Sequence, residues 1–279
     1  MAVHLIGIDV DGTLVGASGE VNPRVWEAAE TARSKGIHLA LCSGRPAFGV
    51  ALEYASRLHP GGWHAFQNGA SIVNLGTRQS RSVALPPAAV KSFIAEARAT
   101  GNVLELYNDS GWVAESTAAW AEDHAKLLGV KFEPRPFESL EGPAVRAQWL
   151  LTHAEANLMM SCTHPGLEVA QSTSPLMPDT QFVGFTHAGV TKASAMRTIA
   201  EEYGVALRDV MYIGDSGNDL PALRIVGHPI AMANASPAVI AAAERTVASD
   251  DEGGVAEALY LAIESIATAA ASYQSGSPA

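Results

Sequence analysis

Several residue types are scarce in this sequence, and each shortage excludes a class of protein. The 279 residues include only two cysteines, which is too few for a disulfide framework, and Cys42 and Cys162 are not spaced like metal ligands. Aspartate and glutamate outnumber lysine and arginine by 29 to 18, so no basic excess is available for nucleic acid. No apolar run approaches the ~20 residues that span a bilayer, and the N-terminus lacks the pattern of a signal peptide. We therefore expect a cytoplasmic protein that has no membrane or nucleic-acid partner.

What is present indicates a packed protein. Hydrophobic residues make up 48% of the chain and charged residues 17%, a composition typical of folded domains. The length is enough to bury a full core, and it favours two smaller domains over one large one. Because the formal net charge is −11, an anionic ligand would need local cations or a metal ion.

The first informative stretch is Asp9-Val10-Asp11-Gly12-Thr13, which directly follows the apolar residues 3–8. Such a run predicts a strand buried on both faces of a parallel sheet, and ligands bind at the C-terminal ends of such strands. Two aspartates there suit a nucleophile beside an acid/base group, or a pair of ligands for a hard cation. The structural alternative is an Asp-Gly turn that closes a hairpin.

An alternation of strands and helices follows this motif. Asn22-Pro23 predicts the start of a helix and Gly36 its end. Residues 37–42 predict a second buried strand, residues 64–66 a third, and the rhythm returns after Gly189 up to a last helix that ends near Ala267. This alternation predicts a parallel sheet with right-handed crossovers.

The middle of the chain has a different character. Turns such as Asn108-Asp109-Ser110-Gly111 separate its strands and indicate antiparallel pairing. We predict an α/β fold with a Rossmann-like parallel-sheet core formed by residues 1–84 and 187–271. An inserted α+β cap domain would cover residues 85–186, and residues 272–279 would form a disordered tail.

Polar side chains follow the predicted strands of the core at the points where the strands end. They are Asp9 and Asp11, Ser43, Asn68, and Asp215 with Asp219. The ends of parallel strands meet at one edge of a sheet, so we expect these residues to lie together. Four acids without basic partners in their own loops would repel one another, which predicts a cation such as Mg²⁺.

Lys192 falls in the first turn of a predicted helix, where the helix dipole disfavours a positive charge. It therefore predicts an anionic partner, either a carboxylate or a phosphoryl oxygen. The alternative is a solvated surface lysine. Similarly, the Ser43 hydroxyl and the backbone N–H groups after it could bind a phosphate, or Ser43 could simply cap the helix start.

Together these stretches resemble a known family. Asp9-Val10-Asp11-Gly12-Thr13-Leu14, Ser43-Gly44-Arg45, Lys192 and Gly214-Asp215-Ser216-Gly217-Asn218-Asp219 resemble the four ordered motifs of the haloacid dehalogenase-like hydrolase superfamily. Asn68-Gly69-Ala70, the size of the insertion and Gly253-Gly254-Val255-Ala256 resemble its Cof-type sugar-phosphatase branch, which carries a type IIB cap. The resemblance covers nearly the whole chain apart from the tail.

This resemblance implies a role for each residue. Asp9 would attack phosphorus and form an aspartyl-phosphate, while Asp11 would protonate the leaving oxygen and then activate water. Mg²⁺ would be bound by the Asp9 carboxylate, the Asp11 carbonyl and Asp215. The phosphoryl group would be held by Ser43, Lys192 and Gly12, with Asn218, Asp219, Gly44 and Asn68 in supporting positions.

The expected function is hydrolysis of small phosphorylated metabolites, with sugar phosphates first, by a monomer or homodimer. The cap would select the substrate, and Trp112 is either a contact for the leaving group or a packing residue. No Gly-x-Gly-x-x-Gly follows a strand and no Gly-Lys-Ser/Thr loop is present, which argues against a nicotinamide or flavin oxidoreductase and a P-loop enzyme. A sugar-phosphate phosphomutase and a non-catalytic phosphate-binding protein remain alternatives.

Overall fold

The computed structural model describes residues 2–174 and 177–275, with side chains up to residue 268 in the last helix. Within these ranges, the helices are α1 (Pro23–Ser34), α2 (Val50–Leu58), α3 (Pro87–Thr100), α4 (Ala119–Leu128), α5 (His153–Ser161), α6 (Lys192–Tyr203), α7 (Leu220–Leu223), α8 (Pro237–Ala242) and α9 (Gly254–Ser275). The strands are β1 (Leu5–Ile8), β2 (His38–Leu41), β3 (Trp63–Phe66), β4 (Ser71–Asn74), β5 (Val103–Tyr107), β6 (Trp112–Val113), β7 (Arg146–Leu151), β8 (Leu167–Ser174), β9 (Met177–His187), β10 (Val210–Gly214), β11 (His228–Met232) and β12 (Arg245–Val247).

A parallel sheet forms the core, as the sequence predicted. Its strand order is β12-β11-β10-β1-β2, and every residue of β1 and β10 is buried. The apolar runs are explained by this burial on both faces. The predicted start of α1 is also found, because the Asn22 side chain accepts a hydrogen bond from the Arg24 N–H and Pro23 is the first helical residue. We call this sheet, its helices and the β3-β4 pair the parallel unit.

The third strand lies beside β2, as predicted, but it pairs along its length with a strand outside the parallel sheet. It is joined to β2 by a bridge between Cys42 and Ala65, but its hydrogen-bonded partner along its length is β4, which runs antiparallel to it. Gln67 and Asn68 cause this reversal, because both adopt left-handed backbone conformations with φ of 53° and 56°. The chain therefore folds back at the end of β3 instead of crossing over the sheet.

The elements from Pro87 to His187 form a second, antiparallel sheet in the order β6-β5-β7-β9-β8. One face of the sheet packs against α3 and α5 through a core that includes Phe93, Trp149 and Phe185. We call these elements the antiparallel unit. The predicted fold class, a parallel core with an α+β insertion, is confirmed, whereas the domain limits at residues 84/85 and 186/187 stay a prediction.

The last helix corrects a second expectation. The helix α9 continues to Ser275, past the end near Ala267 that the sequence predicted. Residues 272–275 are therefore helical rather than part of a disordered tail, and residues 276–279 lie outside the described residues. The alanine-rich residues 267–271 favour helix, and no glycine or proline interrupts the chain before Gly276. Across the described ranges, no helix has both the length and the apolar character that a membrane crossing requires.

Candidate active site

A buried lysine lies between two buried aspartates at the C-terminal edge of the parallel sheet. Thr191 caps the start of α6, which makes Lys192 the first residue of that helix. The Lys192 ammonium donates to Asp9 Oδ1 and to Asp219 Oδ1, each at 2.6 Å. All three side chains are at most 5% exposed. Lys192 is thus not the solvated surface lysine of the alternative.

Asp219 is the most fully bonded of these acids. In addition to Lys192, it accepts hydrogen bonds from the Tyr212 hydroxyl at 2.7 Å and from the backbone N–H groups of Asp215 and Ser216. The backbone at the start of the loop after β10 is therefore hydrogen-bonded to the side chain of Asp219 at its end. This arrangement fixes the position of Asp215, which is half-buried.

The acids are crowded enough to attract a cation. Carboxylate oxygens of Asp9, Asp215 and Asp219 all lie within 4.8 Å of one another, and Lys192 is the cation bonded among them. Burial, and then the charge of Asp219, raise the pKa of Asp9 well above its ordinary value despite the opposing effect of Lys192. The same two causes raise the pKa of Asp215. We call these four residues the active-site cluster, and its all-oxygen donor set fits Mg²⁺.

The cluster contains two of the three residues that were predicted to bind the metal ion, Asp9 and Asp215. The carboxylate of Asp219 lies beside theirs. Asp11 was predicted to contribute its backbone carbonyl, and this contribution stays a prediction. The Asp11 carboxylate forms an ion pair with Arg45, from Oδ1 to Nη2 at 2.5 Å, and is 61% exposed. The predicted role of the Asp11 side chain in proton transfer therefore stays a prediction.

Gly12 and Ser43 both have visible local roles. Gly12 has a φ of 79°, and a Cβ atom there would lie 2.8 Å from the Asp215 Cγ, so only glycine fits. The buried Ser43 hydroxyl accepts a hydrogen bond from the Arg45 N–H at 3.0 Å. This bond closes a turn in the loop after β2. It does not cap the helix that follows, which begins at Val50 with Gly49 as its N-cap.

Three loops meet beside the cluster. A Cβ atom on Gly44 would lie 3.2 Å from the Asn68 Oδ1, and the Asn218 amide donates to that same oxygen at 3.4 Å. Each of the predicted supporting residues Asn218, Asn68 and Gly44 therefore lies where loops after different strands converge.

A cavity of about 160 Å³ opens next to Lys192, between the two units. The parallel unit contributes Asn68, Thr191, Lys192, Asn218 and Pro221 to its lining. The antiparallel unit contributes residues that include Arg146, Glu168, Gly184 and Thr186. Trp112 is not among the lining residues and stacks on Tyr107 with ring centroids 6.3 Å apart.

No pattern in the sequence points to Arg146, Glu168 or the pair between Arg45 and Asp11. Arg146 and Glu168 fall on strands, where their spacing looks like ordinary alternation of polar and apolar residues. Arg45 and Asp11 follow two neighbouring strands of the parallel sheet. They lie 34 residues apart in the chain, so their pairing cannot be inferred from their positions in the sequence.

Comparison with known proteins gives consistent matches over most of the chain. A family model described as haloacid dehalogenase-like hydrolase matches residues 6–259. The protein YxeH of Bacillus subtilis (strain 168) is 28% identical, over 92% of this chain and 97% of its own length. The 5-amino-6-(5-phospho-D-ribitylamino)uracil phosphatase YwtE of the same organism is 25% identical, over 90% and 95%. The structure of the subclass IIB sugar phosphatase BT4131 superposes with a TM-score of 0.76 at 24% identity, over 92% of this chain and 98% of the other.

Proposed function

This chain belongs to the haloacid dehalogenase-like hydrolases, and from that membership we propose that it is a Mg²⁺-dependent phosphatase of small phosphorylated metabolites that acts through an aspartyl-phosphate. The enzyme class is phosphoric monoester hydrolase. The observation that carries the proposal is the bond between Lys192 and Asp9, because it holds a buried carboxylate at the edge of a parallel sheet beside two further acids. A cytoplasmic location and a monomeric or homodimeric state belong to the same proposal.

Asp9 is the nucleophile in this mechanism. Burial and the bond to Lys192 hold its carboxylate in one place, so little ordering is needed when it attacks phosphorus. The P–O bond to the leaving group breaks as the bond from Asp9 to phosphorus forms. Water then hydrolyses the aspartyl-phosphate, and inorganic phosphate leaves.

Asp11 supplies and removes the protons. Its carboxyl group lies at the open side of the site, and Arg45 restricts its orientation. In the first step it protonates the leaving oxygen, and in the second step it accepts a proton from the attacking water. Its exposure suits this role, because the carboxyl group is accessible to the leaving group and to water.

The remaining residues position the phosphoryl group. Asp9, Asp215 and the Asp11 carbonyl would bind Mg²⁺, which would neutralise charge on the phosphoryl oxygens. Asp219 keeps the loop of Asp215 in place. Lys192, Ser43 and Gly12 would contact the phosphoryl group, and Asn218, Asn68 and Gly44 would form the adjacent wall.

The cavity between the units supports a small leaving group. Its volume of about 160 Å³ suits a metabolite rather than a macromolecule, and the antiparallel unit, as a cap, would select among phosphate esters and exclude water. The names of BT4131 and YwtE, a sugar phosphatase and a phosphatase of a phosphoribityl compound, support the same class of substrate. Sugar phosphates are therefore the first to test.

The test is phosphate release from an aryl phosphate and a panel of sugar phosphates, nucleotides, pyridoxal phosphate and flavin mononucleotide. We expect release with Mg²⁺, none in excess chelator, and recovery when Mg²⁺ is restored. Asp9→Asn should abolish turnover with an unchanged fold, whereas Asp11→Asn should accumulate phosphoenzyme with the aryl phosphate. The exposed Asp123→Asn is the matched control.

Release that persists in excess chelator would contradict the metal assignment. Near-normal rates in both the Asp9 and Asp11 variants would contradict the mechanism. An isomeric sugar phosphate in place of inorganic phosphate would assign the protein as a phosphomutase.

A further inference from the structure

A network of buried polar side chains runs through the antiparallel sheet toward the active site. Glu105, which is fully buried, lies 2.8 Å from the His124 Nδ1 and accepts hydrogen bonds from the Tyr107 hydroxyl and the Gln148 amide. Three donors around one carboxylate satisfy its hydrogen-bonding capacity in the interior. Glu105 is therefore held in place at the end of the network that lies inside the antiparallel unit.

Arg146 forms the outer end of this network and leaves the antiparallel unit. Its Nη2 donates to the Gln148 side-chain oxygen. Its Nη1 donates to the Gly44 carbonyl at 2.8 Å and to the Gln67 side-chain oxygen at 3.0 Å. Both of these acceptors belong to the parallel unit, so one guanidinium joins the two units beside the cavity. We call Arg146, Gln148, Glu105, Tyr107 and His124 the sheet network.

The antiparallel sheet makes room for this guanidinium at Gly184. In the strand register, Gln148 lies opposite both Glu105 and Gly184. A Cβ atom on Gly184 would lie 2.9 Å from the Arg146 Nε and Nη2 atoms. The guanidinium thus lies directly over the backbone of β9, where any side chain would displace it.

The two acceptors lie in loops whose shape matters for the site. Gly44 follows Ser43, and Gln67 precedes Asn68. Gln67 and Asn68 hold left-handed backbone conformations. Asparagine tolerates this conformation, but glutamine rarely adopts it, so at Gln67 it persists because the surroundings enforce it. The Gln67 Nε2 is buried without a hydrogen-bond partner among the described residues, so the bond from Arg146 is important for holding this side chain.

We propose that Arg146 is a positioning residue, which reaches from the antiparallel unit to the Gly44 carbonyl and the Gln67 side chain and so fixes the loops that carry Ser43 and Asn68. Its effect on turnover rests on the proposed function, because Ser43 and Asn68 lie at the phosphoryl site only if that site exists. The planar fork of arginine can bind both acceptors and Gln148 at once, whereas the single ammonium of lysine lacks that geometry. The loops are therefore in their working positions only while the two units are in contact.

The first test measures the loops and needs no substrate. The Gln67 and Asn68 N–H groups donate to the Arg45 and Ser43 carbonyls at 3.0 and 2.9 Å, so their hydrogen exchange reports how well the loops are held. We expect exchange at these amides to be about 10-fold faster in Arg146→Gln than in the wild type, since a lost restraint permits local opening. The control is Arg135→Gln, which removes an exposed arginine bound within the antiparallel unit.

Gly184→Ala provides an independent variant, because its methyl group would push the Arg146 guanidinium away without removing any polar group. It should speed exchange at the same two amides, and it decides the question if Arg146→Gln does not fold. Arg146→Lys should fall between the wild type and Arg146→Gln.

The second test measures turnover of an aryl phosphate. We expect kcat to fall about 10- to 100-fold in Arg146→Gln and Gly184→Ala, the size of effect that follows small displacements of reacting groups. KM should change less. Because Arg146→Gln also leaves buried acceptors without a donor, urea unfolding is measured beside the assay and kcat is expressed per folded enzyme. A residue that acted only on stability would shift the midpoint of urea unfolding and leave the kcat of the folded enzyme unchanged.

The outcomes separate this proposal from the proposed function. Wild-type exchange at Gln67 and Asn68, or a wild-type kcat, in a folded Arg146→Gln or Gly184→Ala protein overturns the positioning role. If the wild type releases no phosphate from any substrate, the proposed function fails, and the exchange measurement alone decides whether Arg146 holds the loops.

Discussion

Each unit buries a group of ionisable side chains, and the two groups differ in their balance of charge. The active-site cluster sets three carboxylates against the ammonium of Lys192. The sheet network surrounds the single carboxylate of Glu105 with donors from Tyr107, His124 and Gln148. Burial is similar in the two places, so the balance of donors and acceptors is what distinguishes them.

Burial raises a pKa in both groups, but the raised pKa helps the sheet network and opposes the proposed role of Asp9. Burial, followed by the charge of Glu105, raises the pKa of Tyr107 well above its ordinary value, which keeps the phenol as a donor to Glu105. Burial also raises the pKa of Asp9, although this acid must be ionised to act as a nucleophile. A satisfied polar group strengthens a fold, whereas an excess of one charge creates demand for a ligand. The excess of carboxylates is thus the physical reason for the metal ion that we propose at the active-site cluster.

The largest expected effect comes from removing the cation of the active-site cluster. Lys192→Met should lower the free energy of unfolding by about 4 kcal/mol at pH 7, because Asp9 and Asp219 lose the partner that compensates their burial. Turnover should also be lost. Urea unfolding without added metal measures the first effect, with the exposed Lys91→Met as the matched control. A change below about 1 kcal/mol would mean that the buried acids are already neutral.

A smaller effect on stability is expected in the sheet network, where the carboxylate of Glu105 has all its hydrogen-bond partners. Glu105→Gln should lower the free energy of unfolding by about 2–3 kcal/mol, because the new amide N–H groups would face donors where the carboxylate accepted. The folded fraction should still release phosphate. Urea unfolding and an aryl-phosphate assay measure these outcomes, and Glu96→Gln is a control at an exposed glutamate. Loss of turnover without loss of stability would contradict the comparison, because it would show that the sheet network acts in turnover and does not stabilise the fold.

The smallest effect concerns a buried group that has no charged partner. Burial lowers the pKa of His64 to about 4, and its ring stays neutral between the Leu41 N–H and the His59 carbonyl. Between that value and the ordinary pKa near 6.5, the unfolded chain binds more protons than the folded protein, so stability falls as the pH falls. From pH 7 to pH 5 this group should cost about 2 kcal/mol of stability.

His64→Asn tests this statement, because its side-chain oxygen can still accept from the Leu41 N–H. Urea unfolding at the two pH values should show a weaker dependence on pH in this variant than in the wild type, with His4→Asn as a control for removing an exposed imidazole. An unchanged dependence would place the titrating group elsewhere.

Most secondary structure was predictable because each signal is local. Asn22 before Pro23 marks a helix start, and the apolar run before Asp9 marks a buried strand. The convergence of Asp9 and Asp215 was also predictable, because parallel strands place their ends at one edge. The anionic partner of Lys192 was predictable from its place in the first turn of a helix.

The remainder depends on contacts between distant parts of the chain. The bonds of Arg45 to Asp11 and of Arg146 to Gly44 require a known packing of loops and units, which periodicity does not encode. The antiparallel pairing of β3 depends on two consecutive left-handed residues, of which Asn68 tolerates that conformation and Gln67 rarely adopts it. The extension of α9 shows the reverse case, in which strong local helix propensity continued past the boundary that we inferred.

The left-handed turn after β3 also limits how parts of this protein could be exchanged with those of a relative. Gln67 and Asn68 each hold a conformation that costs about 1–3 kcal/mol, and their N–H groups bond to the carbonyls of Arg45 and Ser43. The conformation of each loop therefore depends on hydrogen bonds to the other. In a chimaera, residues 43–45 and 67–69 would have to be transplanted together, as a single module that the chain happens to encode in two pieces.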